Sequence, residues 1–134
     1  MPSAKPDCFI IMPYGKRKVG SVTVDFNKTY SEYYALAVEA AGFNPVRCDE
    51  DAAGGLISPQ MFKWIAQCPI AIADLTGMNP NVCYELGLRH ALAKHGTVVT
   101  LRTGGKYALS GGIGGKLPQF KLPFDMQDVA TVKY

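Results

Sequence analysis

The chain has 134 residues, 48% of them apolar and 19% charged, and a formal net charge of +3. That length supports one domain with one core, and that composition excludes a disordered tail. The weak, scattered positive charge leaves no footprint for a long nucleic acid, and no apolar run is long enough to span a bilayer.

In chain order, Cys8 to Met12 is a short continuous apolar run closed by Pro13-Tyr14-Gly15, which predicts a strand buried on both faces. Lys16 to Val24 is polar and basic and reads as a connection. Its Lys16-Arg17-Lys18 triplet is a solvated loop or, less simply, an attractor for a phosphate. From Phe26, Tyr30, Tyr33, Ala37, Ala40 and Ala41 recur at helical spacing, with Asp25 as cap and Gly42 as stop. Asn44 to Cys48 is a weaker second strand, followed by Asp49-Glu50-Asp51 and a flexible Ala52 to Gly55. Ser58 and Pro59 open a helix as cap and first residue, and Pro69 ends it. Ile70 to Leu75 is a third buried strand, with Thr76-Gly77 turning into a helix capped by Asn79 and stopped by Gly96. Thr97 to Leu101 is a fourth strand. The glycine-rich segment from Thr103 to Lys116 precedes no well-patterned helix, so it reads as a surface loop rather than a phosphate cradle. Ala130 to Tyr134 is a last strand.

The four cysteines, Cys8, Cys48, Cys68 and Cys83, show no CxxC or Cys/His spacing. No metal site is expected, and the thiols read as reduced and buried in a cytoplasmic protein. The amino terminus lacks the apolar run of a signal peptide.

Alternation of strand and helix implies a central, mainly parallel sheet of about five strands with helices on both faces. Ligands of such sheets bind beyond the carboxyl ends of the strands, where strand order reverses. That rule gathers Pro13 to Gly15, Asp49, Asp74 and the start of the Asn79 helix on one edge.

On that helix, at about 100° per residue, Cys83, Gly87, His90 and Lys94 make the wet face. Glu85 falls opposite, between a flank of Val82, Leu86 and Ala93 and a flank of Tyr84, Leu88 and Leu92. A carboxylate in a packing face needs a partner, a raised pKa or a cavity. Arg89, four residues on, offers an i, i+4 pair; a cavity offers chemistry instead. Asp74 is either a turn cap or a ligand group, and Asn79 is a helix cap or a contact for ribose hydroxyls.

Three stretches carry a family likeness: Cys8 to Gly15, Ala73 to Leu92 with its Asp74-Leu75-Thr76-Gly77-Met78-Asn79-Pro80-Asn81-Val82-Cys83-Tyr84-Glu85-Leu86-Gly87 core, and Leu122 to Asp125. Together they resemble a group of small bacterial domains similar to nucleoside 2-deoxyribosyltransferases and, more distantly, to Toll/interleukin-receptor (TIR) domains. The resemblance covers most of the chain, from Cys8 to Tyr134. It implies a flavodoxin-like three-layer sandwich with a crevice for a nucleoside or nucleotide. It also maps the catalytic carboxylate of those enzymes onto Glu85. Asp74 would orient ribose or base or act as a second catalytic acid. Met12, Pro13, Tyr14, Gly15, Asp49, Asn79, Asn81 and Tyr84 would line the substrate site. The transferases often carry an Asp and a Gly just before the glutamate. Asn79-Pro80-Asn81 stands there in this chain, which favours hydrolysis or plain binding over transfer.

The resulting expectation is a single domain over residues 1–134, itself a module of a longer polypeptide or a compact version of the fold. It would cleave an N-glycosidic bond in a nucleoside, nucleotide or NAD-like molecule, with NAD entering as a substrate and no resident cofactor. By resemblance alone, relatives serve in bacterial defence or signalling. The expected partners are that small molecule and further copies of the chain, as a homo-oligomer, without membrane or long nucleic acid. The rival is a nucleotide-binding or self-associating module in which Arg89 ties up Glu85. A third reading, a phosphoacceptor domain, would give the work to Asp49 or Asp74.

Overall fold

The computed structural model describes residues 4–48, 58–102 and 131–134. Asp49, the glycine-rich segment 103–116 and the Leu122 to Asp125 stretch lie outside them. The strands are β1 (Asp7–Ile11), β2 (Lys16–Val19), β3 (Val22–Asp25), β4 (Asn44–Arg47), β5 (Ile70–Asp74), β6 (Thr97–Leu101) and β7 (Thr131–Lys133). The helices are α1 (Phe26–Thr29), α2 (Ala35–Ala40), α3 (Pro59–Gln67) and α4 (Pro80–Leu92), with a π-helical turn, Tyr30–Tyr34, joining α1 to α2.

The central sheet runs β4-β1-β5-β6-β7 with every neighbouring pair parallel, a flavodoxin-like α/β order. Phe9 and Ile11 on one face of β1 pack with Met61 and Ile65 of α3 and Val82 and Leu86 of α4. Cys8, Ile10 and Met12 face the other way, onto Val24, Phe26, Tyr34 and Val38. Period-two alternation therefore feeds two cores from one strand, which is why β1 is apolar throughout.

Caps set the helix starts. The Asp25 carboxylate accepts from the backbone of Asn27 and Lys28, Ser58 Oγ accepts from Met61 N–H at 3.1 Å, and Asn79 Oδ1 accepts from Asn81 and Val82 N–H. Gly42, with φ of +88°, closes the first helical segment.

The basic connection after β1 is an antiparallel hairpin, β2 with β3. Val19, Val22 and Val24 are buried beneath it, while Lys16, Arg17 and Lys18 stay exposed. The apolar Val22 and Val24, alternating with Thr23, anchor the ribbon to the core and override the polarity of its first strand. The α4 helix also stops at Leu92, sooner than its pattern suggests, and Gly96 with φ of +79° makes the turn into β6. A Cβ on Gly96 would collide with the Pro69 carbonyl oxygen, so only glycine fits there. Among the described residues no helix is long and apolar enough to cross a membrane.

Candidate functional site

Strand order reverses between β1 and β5, so the crevice predicted by topology lies between the loop after Ile11 and the turn after Asp74. The first of these walls is pinned along its length. Pro13 O accepts from Arg47 Nη2 at 2.8 Å and Tyr14 O from Arg17 Nε at 3.0 Å. Gly15, with φ of +68°, donates its N–H to Asn27 Oδ1 and accepts from Phe26 N–H. Met12 and Pro13 are buried, while Tyr14 and Gly15 are half-buried at the surface of the loop. Arg47, at the carboxyl end of β4, lies 4.1 Å from the Tyr14 ring centre and 5.1 Å from that of Tyr30. Sequence reasoning passed over Arg47, although its place at a strand's carboxyl end on this edge was a usable signal.

The second wall begins at Asp74, which has no exposed surface. Its Oδ1 accepts from Thr76 N–H at 2.9 Å and from Thr76 Oγ1 at 2.6 Å, and its Oδ2 from the Tyr134 hydroxyl at 2.7 Å. Thr76 Oγ1 in turn accepts from Arg102 N–H. Burial pushes the Asp74 pKa above the ordinary aspartate value, against the opposing pull of the Thr76 and Tyr134 hydrogen bonds. Tyr134 is itself locked, stacked on Tyr33 at 4.8 Å and edge-on to Tyr34, whose hydroxyl meets Thr100 Oγ1 at 2.6 Å. The turn-cap alternative is therefore the one realised for Asp74. Its two bonds from Thr76 close the turn, and the bond from the Tyr134 hydroxyl ties the end of β5 to the end of β7 across β6.

Beyond Asp74 the chain turns through Gly77, φ +81°, and Met78, φ +50°, before Asn79 caps α4. Two successive left-handed residues, the second with a side chain, store roughly 1–2 kcal/mol of strain. The distal end of the hairpin seats on this turn: a Cβ at Gly77 would lie 3.1 Å from Val19 Cγ2. Asn79 is engaged in capping, Asn81 is exposed, and Tyr84 is 63% exposed rather than part of the packing face. The packing face of α4 is narrower than its apolar pattern, because Leu92 is also exposed and the centre is held by Val82, Leu86 and Arg89. Glu85 is thus half-buried at the border of that face, about one and a half turns below the cap.

Arg89 bears on both readings of Glu85. It is 1% exposed, and its five N–H groups have five oxygen acceptors. Nη1 donates to Ile65 O and Cys68 O, each at 2.8 Å; Nη2 donates to His95 O and Gly96 O; Nε donates to Thr97 Oγ1. Ile65 O would normally receive the N–H of residue 69, but Pro69 has none, and the guanidinium supplies the missing donor. Arg89 is thus a staple between α4, the end of α3 and the turn into β6, with all five donors engaged there.

No protein-family model, curated protein or solved structure matches the chain. Function has therefore to be read from the side chains themselves. Among the described residues no group of three or more His, Cys, Asp or Glu side chains is placed to hold a metal ion.

Proposed function

We propose that this chain cleaves an N-glycosidic bond in a nucleoside, nucleotide or NAD-like molecule, with Glu85 as the carboxylate facing the anomeric carbon. The observation that carries the reading is the position of Glu85: half-buried on the first turns of α4, directly after the left-handed Gly77-Met78 turn at the switch point of the sheet. Two further features support it. The facing loop is held in place by Arg17, Arg47 and Asn27, and Arg89 spends its donors on α3 and the turn into β6.

Loss of the base builds positive charge on the sugar ring, which a close carboxylate stabilises or captures covalently. A neutral leaving base needs a proton donor as it departs, whereas a leaving group that is already cationic needs none and one carboxylate suffices. Such a site favours substrates whose leaving group is already cationic, such as the nicotinamide of an NAD-like dinucleotide, over ordinary nucleosides. Hydrolysis is favoured over transfer because Asn79-Pro80-Asn81 precedes the Tyr84-Glu85 pair.

The test is to incubate the protein with nucleosides, nucleotides and NAD and to follow free base by chromatography. NAD is expected to release nicotinamide, and Glu85→Gln is expected to lower release at least about a hundredfold while the fold persists. Full activity in that variant, or no release from any compound at high protein concentration, would overturn the proposal. The second outcome would leave a non-catalytic binding module.

A further inference from the structure

At the opposite, amino-terminal edge of the sheet lies a half-open groove of about 300 Å³ between the start of β1 and the outer face of α3. Gln60, Lys63, Trp64 and Gln67 line it from one helix face, at the i, i+3, i+4, i+7 spacing, and Asp7 lines it from β1. The Trp64 indole forms the aromatic wall, half-buried and braced from behind by Phe9 at 5.6 Å between ring centres.

The polar groups around this wall are not engaged with one another. Asp7 uses Oδ1 to accept from Asn44 Nδ2 at 2.7 Å, and its other oxygen makes no hydrogen bond among the described residues. The Lys63 ammonium and the amides of Gln60 and Gln67 likewise make none among the described residues. A carboxylate and an ammonium thus share one concave surface without forming a salt bridge, beside an aromatic face. An ion of a single sign would be attracted by one and repelled by the other. A molecule carrying both charges around a compact apolar body satisfies both, and the volume is at the small end of ligand sites.

We propose that this groove binds a free amino acid or a similar small zwitterion. Its ammonium pairs with Asp7, its carboxylate with Lys63, and its apolar side chain lies against Trp64, with the two glutamines closing the hydrogen bonds at the rim. The site is separate from the Glu85 edge and stands or falls independently of the glycosidase reading.

Trp64 is the only tryptophan in the chain, so its fluorescence reports the groove directly. The full chain is titrated with the standard L-amino acids, and with the methyl ester and N-acetyl derivative of any that respond, with calorimetry in parallel. At least one amino acid with an apolar side chain is expected to give a saturable change. Its ester and N-acetyl forms are expected to bind about tenfold more weakly or worse. Asp7→Asn should weaken the amino acid without affecting the N-acetyl form, and Lys63→Met should weaken it without affecting the ester. No saturable response from any amino acid, or equal affinity for the parent and both single-charge derivatives, overturns the proposal. The derivative comparison uses the unaltered protein, so the outcome does not depend on either variant folding.

Discussion

Replacing Arg89 by methionine keeps the apolar stem and deletes the guanidinium, which isolates its hydrogen bonds from its packing. The two shortest, to Ile65 O and Cys68 O at 2.8 Å, are each worth about 1.5–3 kcal/mol as bonds to a charged donor. The longer bonds to His95 O, Gly96 O and Thr97 Oγ1 add less. Removing the charge also removes its own desolvation cost, so the net loss is about 3–5 kcal/mol, set mainly by the buried Ile65 and Cys68 carbonyl oxygens left without a donor at about 1–3 kcal/mol each. A domain of this size has roughly 5–15 kcal/mol in all, so the change is large. Urea unfolding followed by Trp64 fluorescence and circular dichroism should show a lower midpoint with an unchanged slope. A double-mutant cycle with Glu85→Gln should give a coupling below about 0.5 kcal/mol, because the guanidinium donors are committed elsewhere. A loss under about 1 kcal/mol, or a coupling well above that bound, would refute the assignment of Arg89 as a staple independent of Glu85.

Gly96→Ala should destabilise by about 3 kcal/mol or more, measured by the same unfolding curves, since a left-handed φ and a collision with Pro69 O must both be relieved. The raised Asp74 pKa gives a pH signature. A carboxyl whose folded pKa exceeds its unfolded value contributes stability below the unfolded pKa and loses it as pH rises through the folded one. The stability of the unaltered chain relative to Asp74→Asn is therefore expected to fall with rising pH, starting at the ordinary aspartate range and continuing above it. Urea midpoints at a series of acidic to neutral pH values check this, and a difference that grows with pH would contradict it. Glu85→Gln, by contrast, should lower base release at least about a hundredfold while urea unfolding still shows a cooperative folded state.

The strands were legible where they were buried on both faces: Cys8 to Met12 and Ile70 to Ala73 are uninterrupted apolar runs, and little else produces those. Caps at Asp25, Ser58 and Asn79 were legible because the side chain and the N–H groups it serves are neighbours in sequence. The hairpin was hidden because three cations in β2 masked the alternation carried by β3. Long-range partners were the real limit. The helical wheel gave the direction of Arg89 but not the oxygens it reaches, which come from the end of α3 and from the turn into β6. Asp74 likewise stays ambiguous between cap and ligand on local grounds, because the hydroxyl that closes its second oxygen belongs to Tyr134, 60 residues along the chain. Tyr84 and Leu92 are apolar residues that the pattern placed inward and the fold leaves exposed, since an apolar residue at the surface costs little.

Pro69 links three positions that no local rule would connect. It strips Ile65 O of its helical donor, and its own carbonyl oxygen forbids any side chain at residue 96. The guanidinium at 89 spans both sides of this contact, donating to Ile65 O and Cys68 O before Pro69 and to Gly96 O beyond it, so tolerance at 69, 89 and 96 is coupled. The three should therefore drift together in descent, and a library randomising them jointly should recover combinations that single substitutions would reject.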